Sequence, residues 1–209
     1  MESIECYSDE ELYEGIQEIV SSSVVGACLA PSDKPQAILL GGQSGAGKTT
    51  LHNVFRNAMN GNVIVVNGDE YRSFHPRYKQ ICAQYGIDSP AHTAAWAGRM
   101  VEAIIDALSI MGYNLIIEGT LRTSEVPLKT ARLLRDRGYS VSLALMAVKP
   151  EISLISCQLR YEQMRIAEEL VISENTVRMH SKRIYAKLDI HKKQDLIDLV
   201  DSFDPEPGS

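Results

Sequence analysis

The chain has 209 residues, a formal net charge of −6, 44% hydrophobic and 23% charged residues. This length fits one domain, or one domain with a small appendage, and the composition is that of a globular protein with a buried core. The acidic balance argues against a general nucleic-acid binder but leaves room for a local basic patch. Four scattered cysteines without a C-x-x-C pair, no apolar leader and no long apolar run predict a cytoplasmic protein with reduced thiols and no membrane contact.

Predicted helices and strands alternate over roughly the first 160 residues. A capping box formed by Ser8 and Glu11 opens a helix that continues to about residue 22. Apolar strands are predicted over residues 37–41, 62–67, 113–118 and 139–148. Helices are predicted over residues 49–60, 77–85, 89–111 and 125–137, and from residue 151. This alternation predicts a parallel α/β sheet flanked by helices.

A phosphate-binding loop follows the first predicted strand. Residues 42–49 fit the pattern G-x-x-x-x-G-K-[ST]. Glycines let successive N–H groups converge at the start of a helix, where the helix dipole also favours an anion. Lys48 adds a positive charge for the β- and γ-phosphates, and the Thr49 hydroxyl is a candidate Mg²⁺ ligand. A Gly-rich turn that matches by chance is the alternative. The candidate nucleotide-binding residues are Gly42, Gln43, Ser44, Gly45, Ala46, Gly47, Lys48, Thr49 and Thr50.

Carboxylates lie at the ends of the second and third predicted strands. Asp69 follows the second strand and Glu118 ends the third, so both are expected at the same edge of the sheet as Lys48. Asp69 is a candidate general base for an attacking hydroxyl, because phosphoryl transfer depends more on positioning than on a strong base. A cap of the following turn is the alternative for Asp69.

Other polar residues have two explanations each. Glu118, Thr120 and Arg122 are candidates for substrate hydroxyls and a second phosphate, or they form an ordinary loop with a surface salt bridge. Arg160 is a candidate arginine finger supplied in cis. Taken alone, Arg160 and Glu102 are more simply explained as solvated side chains.

Together these segments resemble the zeta toxin family, and within it the PezT-like toxins. The resemblance covers roughly residues 8–162, and its two long segments are far more specific than a phosphate loop alone. The matching stretches are residues 38–50, 67–72, 75–76, 112–122, 149–151 and 160–162.

The resemblance implies a P-loop kinase that phosphorylates the 3′-hydroxyl of the sugar in UDP-N-acetylglucosamine with ATP and Mg²⁺, and so poisons cell-wall synthesis. It implies ATP on Lys48 and Thr49, Asp69 as catalytic base and Arg160 as support for the transferring phosphate. A partner antitoxin that blocks the nucleotide site is implied too. Substrate contacts are implied for Glu102, Glu118, Thr120 and Arg122.

From about residue 165 the sequence departs from the family pattern, which continues with a second phosphate-binding arginine. Residues 166–200 resemble the C-terminal DNA-binding domain of LuxR-type regulators, although the first scaffold helix of such a domain is missing. Short helices are predicted over residues 166–170, 174–188 and 194–200. The second would be a recognition helix. Its candidate DNA-binding residues are Thr176, Arg178, Lys182 and Arg183.

The predicted domains are therefore a C-terminally truncated kinase domain over residues 1–162, a partial helix-turn-helix over 163–200 and a loose tail over 201–209. Three functions fit this organisation. The first is a sugar-nucleotide kinase toxin weakened or inactivated by loss of the second arginine. The less favoured alternatives are a DNA-binding regulator that senses nucleotide, and another small-molecule kinase. A basic residue from the C-terminal segment, Arg165 or Arg178, would preserve activity if it reached the γ-phosphate.

Overall fold

The structure, a computed structural model, describes residues 3–25, 29–119, 121, 123–171, 173–191, 195 and 198. The chain divides into two compact units. The first contains residues 1–42 and 48–146, and the second contains residues 43–47 and 147–209.

The described part of the first unit is built on a four-stranded parallel sheet in the order β2-β3-β1-β4. The strands are β1 (Gln36–Gly42), β2 (Ile64–Asn67), β3 (Leu115–Gly119) and β4 (Ser140–Met146). The register places Leu40 of β1, Glu118 of β3 and Asn67 of β2 side by side. The predicted parallel α/β class is confirmed, and the carboxyl ends of three strands meet at one edge of the sheet.

Helices connect and cover these strands. They are α1 (Asp9–Val25), α2 (Lys48–Ala58), α3 (Gly68–Tyr71), α4 (Tyr78–Tyr85), α5 (Ser89–His92), α6 (Ala94–Ile110) and α7 (Glu125–Asp136). The predicted capping box opens α1, where the Ser8 N–H donates to Glu11 Oε2 at 2.8 Å and the Glu11 N–H donates to Ser8 Oγ at 3.1 Å. The bond from the Ser8 backbone is the largest cause that lowers the pKa of Glu11.

Two apolar clusters pack against the sheet. On one side α6 contributes a row at helical spacing, Trp96, Met100, Ile104 and Leu108, all of which are fully buried. This row packs with Leu12 and Ile19 of α1 and with residues of the strands. A second cluster joins Leu51 and Phe55 of α2 to buried residues of the sheet. Each fully buried aliphatic or aromatic side chain contributes about 1.5–3 kcal/mol, so this row fixes α6 on the sheet, and the partly buried Leu51 and Phe55 hold α2 there with a smaller contribution from each.

The single helix predicted over residues 89–111 is wrong in one respect, because the chain forms two helices that meet at Thr93. The Thr93 hydroxyl donates to the Ser89 carbonyl at 3.0 Å and accepts from Arg72 Nη1 at 3.1 Å. The same Nη1 donates to the Pro90 carbonyl at 2.6 Å. Arg72, which is distant in sequence, thus binds the carbonyl of Pro90 in α5. The next helix, α6, begins at Ala94.

The second unit contains α8 (Pro150–Glu169) and α9 (Glu174–Lys187) together with residues 43–47. The separate short helix predicted over 166–170 is wrong, because the helix predicted from residue 151 continues unbroken through residue 163 as α8. No glycine or proline interrupts residues 151–169. Arg165 also pairs with Glu162 at 3.0 Å and with Glu169 at 2.6 Å, which ties successive turns together. The domain boundary at residue 163 therefore lies within a helix, and the assignment of the following residues to a DNA-binding module stays a prediction.

Helix α9 agrees with the predicted helix over 174–188 within one residue, and Ser173 Oγ caps it by accepting from the Thr176 N–H at 3.1 Å. Of the predicted helix over 194–200, only residues 195 and 198 are described. The predicted tail over 201–209 lies outside the described residues. Among the helices of the described part of the chain, none is long and apolar enough to cross a membrane.

Candidate active site

Lys48 and Glu118 meet at the carboxyl edge of the sheet in the first unit. Lys48 begins α2, directly after the loop that follows β1, and its Nζ donates to the Gly42 carbonyl at 2.9 Å. The same Nζ lies 3.6 Å from Glu118 Oε1, and the side chains are 11% and 17% exposed. Such a partly buried pair is screened less by solvent than a surface pair. The lysine of the motif and the carboxylate that ends β3 therefore share one polar site.

His52 also belongs to this site, although the sequence analysis assigned it no role. It lies one turn after Lys48 on α2, and its Nε2 is 2.9 Å from Glu118 Oε2. Its side chain is 14% exposed. The signal in the sequence is the spacing of four residues from Lys48, which places both side chains on one face of a helix.

Asp69 lies in α3, immediately beyond the end of β2. The amide oxygen of Asn67 accepts from the Asp69 N–H at 3.1 Å, so Asn67 caps α3. The predicted alternative, in which Asp69 serves as the cap of the turn, does not describe this geometry. The Asp69 carboxylate is 80% exposed and accepts from Arg72 Nε at 3.1 Å. One carboxylate oxygen is thus oriented by a guanidinium, at the edge of the sheet where Asn67 pairs with Glu118.

The segment that carries Asp69 is anchored to the helices beneath it. Arg72, 23% exposed, bonds to the Pro90 carbonyl and the Thr93 hydroxyl. Trp96 Nε1 donates to the Tyr71 carbonyl at 3.0 Å. Burial raises the pKa of Tyr71 to about 12, so its hydroxyl stays protonated at neutral pH and is no candidate base. Arg72 was not among the predicted site residues, because its partners at Pro90 and Thr93 are distant in sequence.

The Gly-rich loop is packed within the second unit. Gly45 and Gly47 have φ angles of 72° and 91°, the left-handed region that glycine tolerates best. A Cβ on Gly45 would lie 2.6 Å from the Ser153 carbonyl oxygen and 2.9 Å from Ser156 Cβ. Ser153 Oγ donates to the Ser44 carbonyl at 2.6 Å. The first turn of α8 therefore leaves no room for a side chain at Gly45, a constraint that the motif alone did not reveal.

The contacts that the structure describes do not place the remaining substrate-binding candidates at this site. Glu102 on α6 is exposed and pairs with Lys129 of α7 at 3.1 Å. Thr120 and Arg122 lie outside the described residues. Leu121, between them, has a φ of 48° and its side chain lies over Gly41. Two further loop candidates, Thr49 and Thr50, are exposed in the first turn of α2.

The arginines of the second unit differ in their partners. Arg160 is exposed on α8 and forms no ion pair with the residues that the structure describes. Arg165 is held by two carboxylates, and its hydrogen bond to Glu162 is the largest cause that raises its pKa. On α9, Arg178 lies 3.8 Å from Glu174.

The candidate DNA-binding side chains of α9 have different surroundings. Arg178, Lys182 and Arg183 are exposed. Thr176 Oγ1 contacts the capping Ser173 hydroxyl at 2.9 Å. Three of the four candidates therefore offer positive charge to solvent.

A parallel sheet with a Gly-rich loop between β1 and α2, followed at once by Lys48, defines a P-loop, kinase-like α/β protein. The family model described as zeta toxin matches residues 23–204, so this chain belongs to the zeta toxin family. That match continues beyond residue 162, where the resemblance was predicted to end.

Individual relatives agree with this assignment. The chain is 47% identical to Toxin PezT of Streptococcus pneumoniae serotype 4 (strain ATCC BAA-334 / TIGR4) over 163 residues, which cover 78% of this chain and 64% of that protein. It is 37% identical to Toxin zeta of Streptococcus pyogenes over 164 residues, which cover 78% and 56%. The chain thus spans less than two thirds of either relative.

A solved structure is similar as well. It comes from a study of the PezAT chromosomal toxin-antitoxin system of Streptococcus pneumoniae and superposes with a TM-score of 0.76 at 43% identity. The superposition covers 90% of this chain and 76% of that one. The similarity in fold therefore includes more of this chain than the pairwise sequence match does.

Proposed function

We propose that this chain is a P-loop phosphotransferase that moves the γ-phosphate of ATP to the 3′-hydroxyl of UDP-N-acetylglucosamine. The observation that carries the proposal is the contact between Lys48 and Glu118 at the edge of the sheet where β2 leads into Asp69. This arrangement combines a phosphate-binding cation with carboxylates that suit a sugar hydroxyl. Family membership and the names of the relatives support the action as a toxin with a cognate antitoxin.

The loop and the start of α2 would hold the nucleotide. The left-handed glycines at positions 45 and 47 suit a loop whose N–H groups turn toward an anion. Lys48 would leave Glu118 and contact the β- and γ-phosphates, and the exposed Thr49 hydroxyl is available as a Mg²⁺ ligand. When bound, Mg²⁺ supplies positive charge that neutralises the phosphate oxygens.

Asp69 would act as the base. Its carboxylate accepts the proton of the 3′-hydroxyl while that oxygen bonds to the γ-phosphorus, and the bond from the γ-phosphorus to ADP breaks. Arg72 holds one carboxylate oxygen, which leaves the other for the hydroxyl. Glu102, Glu118, Thr120 and Arg122 are the proposed acceptor contacts. Arg160, which has no ion pair among the described residues, is the proposed contact to the transferring phosphate.

The proposal is tested by incubating the chain with ATP, Mg²⁺ and UDP-N-acetylglucosamine and detecting the phosphorylated sugar nucleotide by ³¹P NMR and mass spectrometry. Asp69→Asn is expected to lower kcat by about 10²–10⁴-fold, the usual contribution of a general base. Asp88→Asn, an exposed aspartate in the turn before α5, is the matched control and should keep full activity.

No product from the intact chain would reject the proposed reaction. Transfer to a different hydroxyl acceptor in the same assay would favour another small-molecule kinase. Full activity of Asp69→Asn would reject the role of Asp69 while leaving the reaction itself intact.

We propose DNA binding by α9 as a second, less favoured function. It is supported by the exposed positive side chains of Arg178, Lys182 and Arg183 on one capped helix. The overall charge of −6 weighs against it. A gel shift at moderate salt that is unchanged by the double variant Lys182→Ala and Arg183→Ala would reject this function.

A further inference from the structure

The carboxylate of Glu118 is shared between two residues of α2. Its Oε1 lies 3.6 Å from Lys48 Nζ and its Oε2 lies 2.9 Å from His52 Nε2. The three side chains are all largely buried. Because Lys48 and His52 are one helical turn apart, they approach the carboxylate from the same face of α2.

Neither contact is an optimal hydrogen bond in this state. The Lys48 contact is long, and Lys48 donates instead to the Gly42 carbonyl at 2.9 Å. The His52 contact is short, but Nε2 makes no aligned hydrogen bond with any of the described residues. A buried imidazole nitrogen aimed near a carboxylate, but not aligned with it, is poised to complete that bond when the carboxylate turns.

Binding of the nucleotide phosphates would allow the Glu118 carboxylate to turn toward His52. Lys48 has to leave Glu118 in order to reach the phosphates of a nucleotide. That movement removes a cation from a carboxylate that is only 17% exposed, and a buried carboxylate without a partner is strongly unfavourable. Of the two ion-pair contacts that Glu118 makes in the described part of the chain, the contact with His52 is the one that would remain.

We propose that His52 is a positioning residue for Glu118. It takes up one carboxylate oxygen when Lys48 turns to the phosphates of ATP, and it leaves the other oxygen for a hydroxyl of the acceptor. This inference rests on the proposed function for the acceptor, but its effect on nucleotide binding does not depend on which acceptor is used.

The test is a double-mutant cycle on ATP affinity, measured by calorimetry at constant Mg²⁺. His52→Ala is expected to weaken ATP binding about tenfold, because the departing Lys48 then leaves Glu118 unpaired. In the Glu118→Gln background the same change should alter affinity by less than about twofold, since a neutral amide needs no such partner. His52→Gln, whose amide can donate to Glu118, should recover most of the lost affinity. Asn53→Ala, the next position on α2, is exposed and serves as the control.

A purely structural role for His52 gives a different result. If His52→Ala weakens ATP binding equally in both backgrounds, or if it has no effect in the native background, the inference is wrong. Failure of His52→Gln to recover any affinity would also count against it. Thermal melting of each variant identifies any that are unfolded, and the glutamine variant then decides the question.

The acceptor arm separates this inference from the proposed function. With UDP-N-acetylglucosamine, His52→Ala should raise the KM for the sugar nucleotide several-fold more than Asn53→Ala does. If the native chain does not phosphorylate UDP-N-acetylglucosamine, the proposed reaction is rejected, while the cycle on ATP affinity still decides the role of His52.

Discussion

Removal of Arg72 is expected to slow phosphoryl transfer without weakening ATP binding. Its guanidinium bonds to Asp69 Oδ1 at 3.1 Å and is anchored at its other end by the Pro90 carbonyl and the Thr93 hydroxyl. The Asp69 carboxylate is 80% exposed in the native protein, and in Arg72→Ala the guanidinium no longer holds it in one rotamer. Choosing one of three staggered rotamers costs roughly a factor of three in rate.

The ion pair is what selects this rotamer, so its energy is not a separate cost. An exposed pair of this kind contributes up to about 1 kcal/mol, or at most roughly fivefold in the population of the oriented carboxylate. We therefore expect kcat to fall about 3–5-fold in Arg72→Ala, which is much less than the loss expected when the base itself is removed.

The assay is steady-state phosphorylation of UDP-N-acetylglucosamine at saturating ATP. Arg72→Lys keeps the charge but cannot span Asp69 and the end of α5, so it should recover only part of the rate. Thr93→Val removes one anchor and should give a smaller loss than Arg72→Ala. Arg99→Ala breaks a comparable surface pair with Asp9 and should leave kcat unchanged. A native kcat in Arg72→Ala would refute the reasoning, as would a loss confined to KM for ATP.

Three further predictions concern the scaffold of the site. Burial lowers the pKa of His75, whose Nδ1 accepts a backbone N–H at 3.1 Å. The contribution of neutral His75 to the free energy of unfolding is therefore complete above pH 6.5 and is lost as the pH falls through the pKa of the folded state. The drop in Tm on acidification from pH 7.5 should therefore be smaller in His75→Asn, and an equal drop would contradict this. Asn114→Leu removes the partners of two part-buried backbone groups and should lower the free energy of unfolding by about 1–3 kcal/mol in urea titrations, whereas native stability would contradict the role of the amide. Gly45→Ala should weaken ATP binding at least about tenfold, because the added Cβ would collide with the Ser153 carbonyl. The control is Gly61→Ala, at a φ of 80° with open space around it. Equal ATP affinity of the two variants would contradict the packing argument.

The parallel sheet and its main helices could be predicted because local patterns determine them. Apolar runs correspond to β1 and β3, and the spacing of four residues from Trp96 to Leu108 corresponds to the buried face of α6. The break at Thr93 could not be predicted, because it depends on a bond from Arg72 across 21 positions of sequence. Local signals specify where helices form, and bonds between distant residues determine where they are interrupted.

The site was predictable to the extent that topology alone determines it. Parallel strands end at one edge of a sheet, which brought Lys48 and Glu118 together as expected. His52 was missed because its partner is 66 residues away in sequence, and its spacing of four residues from Lys48 was not used as a signal. The same reason explains Ser153, whose bond to the loop at Ser44 spans 109 positions.

The arginines of α8 bear on how the proposed transfer would be completed. Arg165, one of the two residues predicted to serve as a second phosphate-binding arginine, is bound by carboxylates on both adjacent turns of its own helix. Arg178, the other, lies near Glu174. A role at a phosphate would require either side chain to leave its partner, whereas Arg160 has no such pair among the described residues. Among these three, Arg160 is therefore the arginine best suited to contact the transferring phosphate. Since one such arginine is worth about 10³–10⁵ in rate, dependence on Arg160 alone predicts a slower kinase than one with two.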